Sequence, residues 1–119
     1  MYKIIQKEVL SENIFSITIY APRVAEKCLP GQFVIVRADE KGERIPLTIC
    51  DYNRENGTVT LVVQIVGAST LKLSRLNEND GVEDIVGPLG VPSEIVTADD
   101  ESLKNKLFNW FIFFKINNT

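Results

Sequence analysis

Near the start of the chain apolar and polar residues alternate with a period of two. Phe15, Ile17 and Ile19 alternate with Ser16 and Thr18, the pattern of a half-buried strand, and residues 4–10 before them are β-prone at both ends. Ser11, Glu12 and Asn13 supply the turn between these two strands. Ala21-Pro22-Arg23 ends the second, because proline cannot donate to a sheet ladder. Pro30-Gly31 opens a third run, residues 32–38, which passes through Asp39-Glu40-Lys41-Gly42 into a fourth, residues 44–52. After the polar turn at 53–57, residues 58–66 are rich in Val, Ile and Thr and are the strand expected at the centre of the sheet.

The composition then shifts. Residues 68–76 fit a short helix with Ser69 or Thr70 as its cap and Leu73 and Leu76 on one face. Residues 82–86 read as one more strand, and Gly87-Pro88-Leu89-Gly90 as a tight loop that no regular element tolerates. Several short strands and one helix point to a mainly β fold, an antiparallel barrel. From Ala98 onward the chain runs from Asp99-Asp100-Glu101 into the aromatic stretch Leu107-Phe108-Asn109-Trp110-Phe111-Ile112-Phe113-Phe114. That divides the chain into residues 1–97, the barrel, and residues 98–119, an atypical aromatic tail. The apolar stretch is less than half of the roughly 20 residues that span a bilayer, so no membrane helix is expected.

Composition narrows the function. The 119 residues carry 13 Lys plus Arg against 16 Asp plus Glu, and the basic residues are scattered singly, so no stripe is available to follow a nucleic acid backbone. Cys28 and Cys50 lack metal-ligand spacing and the chain has no histidine, which argues against a protein-ligated metal. The amino terminus has no signal-peptide apolar core. A cytoplasmic protein with reduced thiols is expected.

Two constellations could carry chemistry. Arg44-Ile45-Pro46-Leu47-Thr48 places a guanidinium, a proline-stiffened strand and a hydroxyl within five residues. A flavin nucleotide needs that mixture: fixed positive charge for its diphosphate, an apolar wall for its ring and a small hydrogen-bond partner at the N5/O4 edge. A strand whose Thr and Arg merely face solvent accounts for the same residues. Gly67-Ala68-Ser69-Thr70 joins a strand to a helix, where unpaired N–H groups suit an anion and glycine permits close approach. An ordinary helix cap accounts for those residues too. Neither the GxxxxGK[ST] nor the GxGxxG fingerprint occurs. Cys50, two residues beyond Thr48, falls on the face of Thr48 in an unbroken strand and reads as a buried thiol.

Taken in order, PGQFV at 30–34, RIPLT at 44–48, VGAST at 66–70 and GPLGVPSEI at 87–95 resemble one lineage of the ferredoxin reductase superfamily. That lineage holds the FAD-carrying small subunit of NADH-dependent ferredoxin:NADP oxidoreductase, also known as a sulfide dehydrogenase subunit, and the dihydroorotate dehydrogenase electron-transfer subunit. The resemblance implies a six-stranded Greek-key barrel that binds FAD. Within it, Pro46, Leu47 and Thr48 lie along the isoalloxazine, with Leu47 where relatives place a ring-covering aromatic and the Thr48 hydroxyl at N5/O4. Ile65 and Val66 form the strand end beside the flavin, and Gly67, Ser69 and Thr70 the diphosphate turn. Arg44 stands four residues before the hydroxyl where the commoner pattern has three, so it is expected at the diphosphate only if the strand is bulged or begins after it.

The resemblance also implies a parent with an NAD(P)H-binding domain, a [2Fe-2S] cluster and a larger flavin and iron-sulfur partner subunit. Residues 98–119 are too few for the first two. Likeness to the family also stops abruptly after SEIVT at 93–97, so a truncated or frame-shifted product is expected, with the aromatic tail packing on apolar surface or forming a homodimer. The competing reading is a non-catalytic β-barrel that serves as a binding or interaction module.

Overall fold

The computed structural model describes residues 1–90. Its elements are β1 (Tyr2–Val9), β2 (Ile14–Tyr20), α1 (Pro22–Lys27), β3 (Phe33–Arg37), β4 (Arg44–Asn53), β5 (Thr58–Gln64), α2 (Ala68–Ser74), β6 (Gly81–Val82) and β7 (Asp84–Leu89). The strands form one sheet in the order β6-β1-β2-β5-β4-β3-β7, and every pairing is antiparallel. β5 does sit centrally, between β2 and β4. Since β3, β4 and β5 are successive neighbours and β2 lies against β5, the connection is a Greek key. The boundary at Thr97, the aromatic tail and the end of the GPLGVPSEI motif fall outside the described residues.

The strand and helix counts differ from the expected six and one: among the described residues there are seven strands and two helices. The extra strand comes from the last one, which is broken at Glu83. Gly81 and Val82 pair with β1, while residues 84–89 pair with β3, and the Glu83 N–H donates to the Arg37 carbonyl at 2.9 Å across the break. One chain segment thus supplies both ends of the sheet and nearly closes the barrel. Gly87, Pro88 and Leu89 belong to β7, not to a loop. Pro88 follows a cis peptide in a strand whose one partner among the described residues is β3, and proline is tolerated at such a sheet edge.

The extra helix has an equally local cause. Pro22 was expected only to stop a strand, but it stands at the start of α1, where a fixed φ and an absent N–H are both favourable. α1 buries Val24 and Ala25, and its end is closed by the Cys28 N–H on the Val24 carbonyl at 2.8 Å.

Inward-facing residues of all the main strands build one core, among them Ile17, Ile19, Val34, Val36, Ile49, Val59, Leu61 and Val63, joined by Leu73 of α2. A second, smaller apolar cluster lies on the outer side of the sheet, where Ile14, Cys50 and Val62 meet and Leu10 covers them. Cys28 and Cys50 are both buried, and neither is joined in a disulfide.

Removal from water pushes the Cys50 thiol up from 9.0 to about 12. The unfolded chain releases this proton near its ordinary pKa and the folded chain only well above it. In that window the unfolded state therefore holds fewer protons, and stability falls as pH rises through it. Urea unfolding at about pH 7.5 and about pH 10.5 should show a larger loss for the wild-type protein than for Cys50→Ala; equal losses would remove Cys50 from the alkaline limb.

Candidate functional site

The start of β4 pairs with β3 in unbroken register, from Arg44 opposite Arg37 to Thr48 opposite Phe33. The pleat therefore turns Arg44, Pro46 and Thr48 outward together and Leu47 inward. Burial agrees: Arg44 and Pro46 are exposed, Thr48 is half-buried, and Leu47 lies in the core. The expected ring-covering role of the Leu47 side chain is not available to it. Arg44 has neither of the devices expected to bring it to the site, because β4 begins at Arg44 itself and its irregularity comes later, between Ile49 and Asp51; it lines the cleft without them.

Beyond the last paired residue of β5 the chain swings back over the β3–β4 hairpin, and residues 43–46 and 66–70 enclose a cleft of about 310 Å³. Of the residues singled out from sequence, Arg44, Pro46, Val66, Gly67, Ser69 and Thr70 line it. Thr48 lies two residues further along the same outward face. Ile65 is half-buried against the core, its N–H bonded to the Asn13 carbonyl at 2.8 Å.

The residue that shapes the turn is Thr70. Gly67, not Ser69 or Thr70, is the N-cap of α2, and Thr70 stands at the third helical position. Its Oγ1 accepts from the Val66 N–H at 2.8 Å and the Gly67 N–H at 3.1 Å, and donates to the Gly67 carbonyl at 3.1 Å. The side chain is buried, so its bonding capacity goes into holding the turn. Gly67 has a different role. Its φ of −176° suits any residue, and a Cβ built there meets nothing within 4 Å. Neither strain nor crowding inside the protein calls for glycine. Its absent side chain leaves backbone open to the cleft.

Polar contacts tie the cleft to its surroundings. The Ser69 hydroxyl donates to Glu43 Oε2 at 3.1 Å. Arg44 Nη1 donates to Asp84 Oδ2 at 2.9 Å, and this hydrogen bond holds the Asp84 carboxyl below its ordinary pKa. Lys72 Nζ meets Asp39 Oδ2 at 2.5 Å, which lowers the Asp39 pKa in the same way. Sequence reasoning missed Glu43 and Asp84. Glu43 adjoins the RIPLT motif and could have been weighed with it; Asp84 is brought in only by barrel closure.

A larger groove, about 490 Å³, lies at the opposite end of β4 among Thr18, Thr58, Thr60, Asp51 and Asn53. It contains no lysine or arginine and none of the candidate residues. The smaller cleft has the more informative chemistry: a guanidinium, a hydroxyl, accessible backbone at Gly67, and apolar surface at Pro46 and at Val66, which is 74% exposed. That set can hold a ligand with an anionic part and a flat apolar part.

Comparison with known proteins bears on which ligand. Residues 1–92 match the family model of the oxidoreductase FAD-binding domain. A protein of Clostridium beijerinckii from the adh 3′ region is 60% identical over 108 residues, 91% of this chain and 36% of that protein. Those 108 residues exceed the barrel segment, so likeness to this relative continues past Thr97 and the expected loss of likeness at that point is corrected. The dihydroorotate dehydrogenase B (NAD(+)) electron transfer subunit homolog of Thermotoga maritima is 47% identical over 93 residues, 78% of this chain and 33% of that protein. The solved structure of an NADH-dependent reduced ferredoxin-NADP oxidoreductase, studied for flavin-based electron bifurcation, superposes with a TM-score of 0.76 and 46% identity, covering 79% of this chain and 34% of that one. The chain thus spans about a third of the length of these relatives. With the barrel, the cleft and a family match over residues 1–92 in agreement, this chain belongs to the oxidoreductase FAD-binding domain family.

Proposed function

We propose that the cleft between the start of β4 and the turn into α2 holds FAD, and that the chain is the flavin-holding part of a cytoplasmic electron-transfer oxidoreductase subunit. The observation that carries this reading is the meeting of Arg44 and Pro46 with Gly67 and Ser69 in one cleft of a chain from the FAD-binding family. Gly67 is the test of fit: glycine is unneeded by the fold there, and a side chain would fill the space that a diphosphate needs.

In this reading the backbone at Gly67, the Ser69 hydroxyl and the Arg44 fork take the diphosphate. Pro46 and the exposed Val66 border the ring. The Thr48 hydroxyl, on the outward face shared with Pro46, meets the N5/O4 edge, and Leu47 contributes backbone only. Thr70 acts through the turn that it holds, and Ile65 through its anchorage in the core. Bound FAD supplies the redox chemistry; these residues bind and orient it. The names of the relatives, an electron transfer subunit homolog of a NAD(+) enzyme and an NADH-dependent ferredoxin-NADP oxidoreductase, further support a parent protein that uses NAD(P)H; the motif resemblance adds a larger flavin and iron-sulfur partner subunit, with residues 1–97 as the barrel and 98–119 as a separate segment.

Purified protein should co-elute with visible flavin absorption after FAD is added, and colourless protein would refute the assignment. Gly67→Val should weaken FAD binding by roughly tenfold while shifting unfolding free energy by less than about 1 kcal/mol. Comparable losses in both would mean that Gly67 serves folding instead. Thr70→Val keeps the side-chain shape but removes three hydrogen bonds, and should lower stability by about 1–2 kcal/mol in urea unfolding. If the aromatic stretch mediates self-association, sedimentation will show a concentration-dependent dimer that Phe111→Asp and Phe113→Asp abolish.

A further inference from the structure

Arg44, Arg37 and Asp84 stand in one row across three neighbouring strands: Arg44 is opposite Arg37 on β3, and Arg37 is opposite Asp84 on β7. Two like charges face each other directly, which is unfavourable in a sheet, and the Arg37 Nε is buried with no hydrogen-bond partner. Asp84 supplies the counter-charge. To reach it, the Arg44 guanidinium crosses over β3 towards β7. The turn into α2 follows β5, which lies on the other side of β4. The guanidinium is therefore held by Asp84 and not by the groups with which it would share a ligand's diphosphate.

The Ser69 hydroxyl is occupied in a parallel way. It donates to the Glu43 carboxylate inside the cleft itself. Each of the two side chains best suited to an anion is thus engaged by an acidic side chain of the chain's own, and a diphosphate cannot take those positions beside two carboxylates without repulsion.

We propose that Glu43 and Asp84 are internal competitors of the nucleotide diphosphate: they engage Ser69 and Arg44 and must release them when FAD binds, and so set its affinity. The proposal rests on the FAD reading above. Both contacts are single hydrogen bonds at least partly open to solvent, so they are weak enough to exchange and strong enough to be felt. The competition acts on the phosphates alone. A flavin without them should not sense it.

The test is equilibrium binding of FAD and of riboflavin, which carries no phosphate, to the full chain and to the variants Glu43→Gln, Asp84→Asn, Arg44→Ala and Arg44→Ala/Asp84→Asn. Glu43→Gln and Asp84→Asn should each bind FAD roughly two- to fivefold more tightly than wild type, with riboflavin affinity unchanged. The gain from Asp84→Asn should vanish in the Arg44→Ala background, because its effect passes through that guanidinium. If FAD binds the wild-type protein and both neutral variants bind it equally or more weakly, the competition is refuted while the FAD reading stands. Folded proteins that bind no FAD, wild type and variants alike, overturn both. Thermal unfolding of each variant shows that the comparison is between folded proteins.

Discussion

The structure depends on how the last strand closes the sheet. A small antiparallel sheet exposes two edges of unpaired backbone, and each edge invites pairing with another chain. Here one segment supplies both end strands, two residues on β1 and six on β3, with Glu83 at the bend. Closure completes the core, since Val82 and Ile85 both become buried. It also carries Asp84 to Arg44, although the two are 40 residues apart in the chain. The electrostatics of the cleft is thus a consequence of barrel closure as much as of the residues that line it.

The cleft divides its tasks between neighbouring residues. Thr70 spends its hydroxyl on the backbone of the turn, whereas Gly67 contributes space and makes no demand on the fold. Such a division lets the turn be rigid before any ligand arrives, and preorganised geometry of this kind reduces what binding must give up in conformational freedom. Pro46 adds stiffness at the facing strand. Flexibility is left to the ends of Arg44 and Glu43, long side chains whose contacts are exposed.

Much of this was legible in the chain. Alternation located β2, and the turn residues on either side bounded β3 and β4, each to within a residue or two, while the richness in Val, Ile and Thr marked β5 as central. The two motifs of the cleft were legible as an ordered pair. Local chemistry with two meanings was harder to read: Pro22 suits a strand end and a helix start equally, and Gly87-Pro88 looks like a loop unless the strand is known to lie at an edge. The face of Leu47 followed from a register that only pairing with β3 fixes. Asp84 was illegible for a different reason: nothing near it in the chain reports which side of the barrel it will join.

The break at Glu83 has one further consequence. Residues three apart in a continuous strand point to opposite faces, yet Val82 and Ile85 both face inward, so the bend resets the parity of the strand. The face on which the charge of Asp84 appears is therefore set by the number of residues between two inward anchors. Insertion or loss of a single residue there would exchange the carboxylate with its apolar neighbour, placing a charge in the core and an isoleucine beside Arg44. A change of length is accordingly far less tolerable at this bend than in the turns of the barrel, and the constraint comes from counting, not from the identity of Glu83.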